Sequence, residues 1–203
     1  MAQGLTGFAG GRPEPQPVIR LFSFLADKSG IPVSISFDGK ETPVPTYLPN
    51  ESPPRPATAA PAPQAAAAGA TVHVPLIALA HGRSGDKGDI GNIGVLARKA
   101  EFVPVLAAAL TQEAVRSYFA HYADGPVERF DWPGLHGFNF LLHQGLGGGG
   151  IASLRHDPQG KALAQILMDL PVAVPAAWLQ PGGLLEGGTQ TLTADGRPEG
   201  DAR

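Results

Sequence analysis

The chain has 203 residues, 43% hydrophobic and 16% charged, which is enough apolar material for one stable domain and excludes a wholly disordered protein. A net charge of -3 gives no basic field to attract nucleic acid, and the lack of cysteine excludes disulfides and thiolate metal sites. No apolar run approaches the roughly 20 residues of a membrane span. We therefore expect a cytoplasmic protein with no nucleic-acid or membrane partner.

Three segments have the composition of unfolded chain. Residues 1–17 are rich in Gly, Pro and Gln, and residues 180–203 are rich in Gly and polar side chains, so both are predicted to be disordered tails. Residues 49–70 are rich in Pro and Ala with almost no charge, which predicts an extended linker. The linker separates an N-terminal piece, residues 18–48, from a domain at residues 71–179.

The N-terminal piece has the pattern of a small strand meander. Residues 18–26 are strand-like, and the stretch after them alternates, with Val33, Ile35 and Phe37 on one face. The dipeptide Asp38-Gly39 is a tight-turn signal. Because a lone hairpin is marginally stable in water, we expect these strands to need a packing partner.

The domain opens with two apolar runs around a charged, glycine-rich segment. The runs at residues 76–80 and 93–97 predict strands, and residues 81–92 predict a loop at the edge of a sheet. Glycines in such a loop allow the backbone to come close to a ligand. The segment carries four charged side chains, Arg83, Asp86, Lys87 and Asp89.

The rest of the domain mixes helix and strand signals. Caps, apolar stripes and terminating residues predict helices at residues 104–110, 111–124 and 157–170. Strands are predicted at residues 127–132, 151–155 and 172–174, whereas residues 138–146 fit either a short helix or a strand. The order indicates an α+β fold, a ferredoxin-like two-layer sandwich with helices on one face of a mainly antiparallel sheet.

The charged segment has two interpretations. In the first, Arg83 forks onto a phosphate or carboxylate and Lys87 adds a point charge, while backbone N–H groups close around the anion. In the second, the four charges neutralise one another on a tight turn. The first interpretation predicts a ligand site made of Arg83, Ser84, Lys87, Asn92, Asn139, Gly148, Gly149 and Arg155.

Several members of this predicted site have plain structural alternatives. The glycines at 147–150, followed by Arg155, either form the second wall of the cleft or simply connect two strands. The amide of Asn139 either enters the cleft or caps a neighbouring helix. The weak candidates for catalysis are His81, Asp86 and Asp89, although a lone histidine at a strand end is more often structural. The other histidines show no metal spacing, and we predict no metal site.

The segment His-Gly-Arg-Ser-Gly-Asp-Lys-Gly-Asp-Ile-Gly-Asn-Ile-Gly, residues 81–94, resembles the C-terminal domain of the acyclic terpene utilisation (AtuA) family. The resemblance covers about residues 72–179, with further blocks at residues 114–121, 139–143, 146–150 and 157–163. It implies a ferredoxin-like fold and a part in bacterial catabolism of citronellol, geraniol and related branched acids through acyl-CoA thioesters. A CoA thioester is then the expected substrate, and no other cofactor is evident.

Residues 18–45 resemble the end of the family's large N-terminal domain, most of which is missing. We therefore expect either a truncated gene product or a chain that works with a separately encoded large subunit. Two functional hypotheses follow. The protein is an enzyme, or part of one, in branched acyl-CoA or terpenoid-acid catabolism; or it is a non-catalytic assembly module that docks onto a larger subunit or onto a second copy of itself.

Overall fold

The computed structural model describes residues 24–45 and 69–198, together with residues 17 and 19. The predicted tail at residues 1–17 and the predicted linker at residues 49–70 lie almost wholly outside these residues, as does most of the strand predicted at residues 18–26. The last three residues of that predicted strand are described, and they are not in a strand.

The N-terminal piece contains an antiparallel hairpin of β1 (Val33–Phe37) and β2 (Lys40–Val44). Its turn residues Asp38 and Gly39 have φ angles of 48° and 72°, the left-handed pair that a two-residue hairpin turn requires. The turn prediction is confirmed. Every side chain of β1 is exposed, and Phe37 is 81% exposed, so nothing in the described part of the chain covers the apolar face of this hairpin.

The domain consists of two antiparallel sheets and three short helices. Its elements in chain order are β3 (Thr71–Pro75), β4 (Ala80–Lys87), β5 (Ile90–Ala97), α1 (Val103–Ala109), α2 (Gln112–Tyr118), β6 (Val127–Trp132), β7 (Gly137–Leu142), α3 (Leu163–Met168) and β8 (Pro171–Pro175). One sheet has the spatial order β4-β5-β7-β6, and the other pairs β3 with β8. The predicted α+β class with mainly antiparallel sheets is confirmed.

The four-stranded sheet has one packed face and one open face, because side chains alternate along each strand. On the packed face Val95 of β5 lies opposite Phe138 of β7, and both are buried. Helix α3 lies directly on this face, where a β-carbon at Gly82 would be only 2.8 Å from Cε of Met168. The alternate residues of the same strands point away from the helices and form the open face.

Two predictions in the first half of the domain are wrong. The run at residues 76–80 is mainly a 3₁₀ turn, Leu76–Ala78, instead of a strand. Residues 81–92 are mostly strand instead of loop, because β4 and β5 pair along their whole length and only Gly88 and Asp89 form the turn. Glycine is a weak strand former in general, but here it is required by the helix layer: a β-carbon at Gly91 would lie 2.6 Å from Cδ1 of Leu163.

The second half of the domain agrees better with the sequence. The helix expected at residues 104–110 is present as α1. The helix expected at residues 111–124 begins as predicted, with Thr111 Oγ1 accepting a hydrogen bond from Ala114 N at 3.0 Å, but α2 ends at Tyr118 and the chain continues in turns. The strands expected at residues 127–132 and 172–174 are β6 and β8. The ambiguous stretch at residues 138–146 contains the strand β7.

Two boundaries after β7 are corrected. Residues 151–155 do not form a strand, because a 3₁₀ turn at Gly150–Ala152 leads into irregular chain. The last helix begins at Leu163 and not at residue 157. The carboxylate of Asp157 accepts hydrogen bonds from Lys161 N and Ala162 N, so it closes a turn before the helix.

The chain after β8 keeps contact with the domain. Leu192 is buried and its N–H donates to the carbonyl of His73 in β3 at 2.8 Å. Lys99 Nζ donates to the carbonyl of Leu184 at 2.7 Å. The tail predicted at residues 180–203 therefore includes residues that lie against the first strand of the domain.

Candidate functional site

A groove of about 530 Å³ lies along β4 and β5 on the open face of the sheet. One part of it is charged and polar, and the other part is apolar. The side chains that give it this character are His81, Arg83, Asp86, Lys87, Asn92 and Lys161 on the polar side and Leu96 and Trp132 on the apolar side.

Three cationic side chains meet at the polar side of the groove. Arg83 and Lys87 share one face of β4, about 13 Å apart at their Cα atoms. Lys161 comes from the turn before α3, and a β-carbon at Gly85 would lie 3.3 Å from its Nζ. The Lys161 ammonium therefore lies over Gly85, between the other two cations. Within the described ranges, none of the three side chains makes a hydrogen bond or an ion pair.

The aspartates do not neutralise these cations. Asp86 lines the groove and has no hydrogen-bond or ion-pair partner among the described residues. The carboxylate of Asp89 instead accepts hydrogen bonds from Leu146 N at 3.1 Å and Gly148 N at 2.8 Å. The interpretation of the charged segment as a self-neutralising network requires ion pairs that this part of the chain does not form.

Ser84 holds the turn that carries Lys161. It is 8% exposed, and its Oγ donates to the carbonyl of Lys161 at 3.0 Å and accepts from Ala164 N at 2.9 Å. A serine hydroxyl has one proton to donate, and here that proton is already used. Ser84, predicted as a ligand-binding residue, therefore acts on the groove through the position of Lys161.

The apolar side of the groove is built on β5 and β6. A β-carbon at Gly94 would lie 3.4 Å from Cζ3 of Trp132, so the indole lies across this glycine. Trp132 is 37% exposed and Leu96 is 38% exposed. Phe130, on the same face of β6, is 45% exposed and extends the apolar surface away from the cations.

Two polar contacts organise the rest of the open face. Asn92 Nδ2 donates to Asn139 Oδ1 at 2.7 Å, so Asn139 supports the amide of Asn92 from the neighbouring strand. The Nη1 atom of Arg98 lies 3.2 Å from Nε2 of His81. Because arginine can only donate, His81 Nε2 must accept, and the imidazole proton is then on Nδ1. His81 can offer a ligand a hydrogen-bond donor more readily than a base.

The structure does not bring Gly148, Gly149 and Arg155 into the groove. A β-carbon at Gly149 would lie 2.0 Å from the carbonyl oxygen of Gly88, so this loop is packed against the β4–β5 turn. The guanidinium of Arg155 donates to the carbonyl of Tyr122 at 2.7 Å and stacks over the Tyr122 ring at 4.3 Å. Gly148 and Gly149 therefore contact the β4–β5 turn, whereas Arg155 is engaged by Tyr122.

Residues 74–173, from β3 to β8, match the family model of the AtuA ferredoxin-like domain. The chain contains an AtuA ferredoxin-like domain. This match confirms the resemblance and the ferredoxin-like fold that the sequence indicated. No curated protein and no solved structure shows significant similarity to the chain.

The groove of the AtuA ferredoxin-like domain includes residues that sequence reasoning missed. Lys161 has no local signal, because its position depends on a contact with Ser84, 77 residues earlier in the chain. The sequence does contain a signal for Trp132. Alternation in β6 places it on the same face as Glu128 and opposite to the buried Val127, which indicates an exposed tryptophan.

The described ranges of the chain contain neither a metal-binding cluster nor a membrane-spanning helix. No group of three or more His, Asp or Glu side chains is arranged to hold a metal ion there. None of the helices in these ranges has the length and apolar character that crossing a bilayer requires.

Proposed function

We propose that the AtuA ferredoxin-like domain binds the anionic part of an amphipathic organic molecule in the groove on the open face of its sheet. The observation that carries the proposal is a set of three cations, Arg83, Lys87 and Lys161, that have no partner among the described residues and lie beside an apolar wall. Like charges that lie close together repel, and a bound anion removes that repulsion. The apolar body of the same molecule would cover Leu96 and Trp132.

In this proposal the molecule is an acyl-CoA thioester of an acyclic terpenoid or branched acid, handled in the cytoplasm during its breakdown. The resemblance to the AtuA family is the reason for proposing this pathway, and the two-part groove suits a molecule that carries both anionic groups and an apolar part. Arg83 is the fork-shaped donor to phosphate, Lys87 is the point charge, and the Asn92 amide is available to a carbonyl or hydroxyl group.

The three candidates for catalysis differ in whether their side chains are available to a ligand. Asp86 has a carboxylate that is available to a ligand, whereas the carboxylate of Asp89 holds the loop after β7. His81 presents a proton donor. Any acid–base step in this groove would therefore rely on Asp86 as the base and His81 as a donor to an oxygen atom.

The experiment uses the two tryptophans of the chain. Trp178 packs on Phe102 with ring centroids 5.3 Å apart, away from the groove, so a Trp178→Phe variant of the full chain leaves Trp132 as the sole indole emitter. Titration with a branched acyl-CoA such as isovaleryl-CoA should change the Trp132 emission saturably. Adding Arg83→Ala and Lys87→Ala should weaken binding by about tenfold or more, because charge-assisted hydrogen bonds are lost.

The absence of any saturable change in the Trp178→Phe chain would contradict the proposal. Equal affinity with and without Arg83 and Lys87 would remove the roles given to these two cations. A Lys99→Ala variant is the control, because the Lys99 ammonium is bound to the Leu184 carbonyl and lies outside the groove.

A second candidate function is assembly with a separately encoded large subunit or with a second copy of the chain. The exposed Phe130 beside Trp132, on the edge strand β6, favours it, because exposed aromatic side chains at a sheet edge are typical of interfaces. Light scattering on the full chain tests this function. A mass well above the 21.0 kDa of one chain would support it, and a monomer that binds acyl-CoA would favour the first function.

A further inference from the structure

We infer that Lys161 determines the specificity of the groove and selects a phosphate monoester, which carries two negative charges, over a carboxylate, which carries one. This inference rests on the proposed anion-binding function and deepens it. The charges that line the groove are three cations, Arg83, Lys87 and Lys161, and one anion, Asp86, so they sum to +2. Without Lys161 the sum is +1.

The charge of the ligand decides which group fits best. A phosphate monoester carries about -1.5 to -2 at pH 7 and offers three acceptor oxygens, whereas a carboxylate carries -1 and offers two. Three cations around one concave surface therefore match a phosphate monoester in both charge and number of oxygens. Without Lys161, the two cations Arg83 and Lys87 would match a carboxylate as well as they match a phosphate monoester.

The position of Lys161 is fixed by the fold, although its side chain is long. Its backbone N–H donates to the carboxylate of Asp157 at 2.9 Å, and its carbonyl accepts from the Ser84 hydroxyl at 3.0 Å. The peptide group after its Cα is thus held against Ser84 of β4, and the peptide group before it is held by Asp157 in the turn that precedes α3. The ammonium then reaches the open face over Gly85, where the lack of a side chain leaves room for it.

Lys99 is also a surface lysine, but its ammonium is already engaged. The ammonium of Lys99 donates to the Leu184 carbonyl and lies 5.7 Å from the centre of the Phe102 ring. It is already engaged and would contribute little to an added anion. Lys161 combines an anchored backbone with an ammonium that has no partner in the part of the chain that the structure describes, and this combination indicates a binding residue.

The test compares two ligands that share one ring and differ only in the anionic group. Calorimetric titration of the full chain with phenyl phosphate and with benzoate should give tighter binding of phenyl phosphate by about tenfold or more. In Lys161→Met, which keeps the side-chain length and removes the charge, the two affinities should come within about threefold, mainly through loss of phenyl phosphate binding. Lys161→Arg should keep the preference, and Lys99→Met should behave as the unchanged chain.

Inorganic phosphate is the third ligand in this test. Binding as tight as that of phenyl phosphate would assign the site to free phosphate, and weaker binding would assign it to an organic phosphate with a body that covers Trp132. Neither result alters the test of Lys161, which the Lys161→Met comparison of phenyl phosphate with benzoate decides. Circular dichroism and thermal unfolding of each variant would verify that the fold is retained.

The outcomes separate the inference from the function on which it rests. If the unchanged chain binds neither phenyl phosphate nor benzoate, the anion-binding function itself fails. If it binds both equally, or if Lys161→Met keeps the preference for phosphate, the groove remains a binding site and the role of Lys161 is overturned.

Discussion

The two glycine-rich segments of the domain, the β4–β5 hairpin and the loop at residues 147–150, have opposite uses. In the loop, Gly149 leaves room for the carbonyl of Gly88, so the space is filled by backbone. On the open face of the hairpin, Gly85 leaves room for the ammonium of Lys161, and Gly94 for the indole of Trp132. Glycine marks a close approach in both segments, but the group that approaches decides between structure and binding.

The charged side chains near the two segments differ in whether the fold provides them with hydrogen-bond partners. Asp89 and Arg155, which lie around the loop, have their hydrogen-bonding capacity used by backbone groups. Arg83, Lys87 and Lys161, on the open face, have no such partners among the described residues. A charge that the fold has satisfied stabilises the fold, and a charge that it has left unpaired is available to a ligand.

The largest loss of stability is expected for Gly149→Ala. Its φ of 71° is unfavourable for alanine, and the added β-carbon would lie 2.0 Å from the Gly88 carbonyl oxygen. Urea unfolding should show a loss of at least about 3 kcal/mol. The control is Gly150→Ala, where φ is 49° but nothing lies within 4 Å of the added carbon, and the cost should stay near about 1 kcal/mol. Equal costs would show that the loop is not packed on the turn.

A smaller loss is expected for Asp89→Ala. The substitution leaves Leu146 N and Gly148 N without their acceptor, and it should lower the free energy of unfolding by about 1–3 kcal/mol. The matched Asp86→Ala variant removes a carboxylate that has no partner among the described residues, and it should change the stability by less than about 0.5 kcal/mol. If the two variants lose the same stability, the distinction between a satisfied and an unsatisfied aspartate is wrong.

On the open face, Gly85→Ala should affect binding more than folding. The added carbon would lie 3.3 Å from Lys161 Nζ, and the end of a flexible side chain can move away at a cost below about 1 kcal/mol. The displaced ammonium should weaken phenyl phosphate binding several-fold. In the Lys161→Met background the same substitution should have no effect on binding, and a persisting effect would show that Gly85 acts by another route.

The smallest effect concerns the helix layer, which contacts neither ligand nor turn. The Tyr118 hydroxyl donates to the Ile166 carbonyl at 2.9 Å, and burial, with a smaller contribution from Asp169, raises its pKa. Its contribution to stability is therefore complete below about pH 10, the pKa of a tyrosine in the unfolded chain, and is lost as the pH rises through the folded value. Unfolding of the chain and of Tyr118→Phe should differ less at pH 11.5 than at pH 9, and a constant difference would contradict this.

Local chemistry explains which parts of the fold the sequence predicts correctly. The Thr111 cap, the Asp38-Gly39 turn and the strand at residues 172–174 each depend on neighbours in the chain, and each is confirmed. The β4–β5 hairpin was predicted as a loop because its glycines are weak strand formers. These glycines are required because α3 and Lys161, about 70 to 80 residues away in the chain, lie close to the strands. No local sequence pattern can predict such contacts.

The site shows the same division between local and distant information. The sequence placed Arg83, Lys87 and Asn92 together because they are close in the chain, and all three line the groove. It could not place Lys161, whose position depends on the Ser84 hydroxyl. It also grouped Arg155 with the cations, because a sequence does not show that Tyr122 and Gly145 already bind its guanidinium.

The most direct test of the central claim is a ¹⁵N–¹H correlation spectrum of the full chain, recorded during titration with phenyl phosphate. The account predicts that the amide signals of residues 83–87 and 92–96, together with those of Trp132 and Lys161, shift with a single dissociation constant, while those of residues 147–150 stay in place. Shifts centred on residues 145–155, or no shifts at all, would contradict the assignment of the binding site to the open face of the sheet.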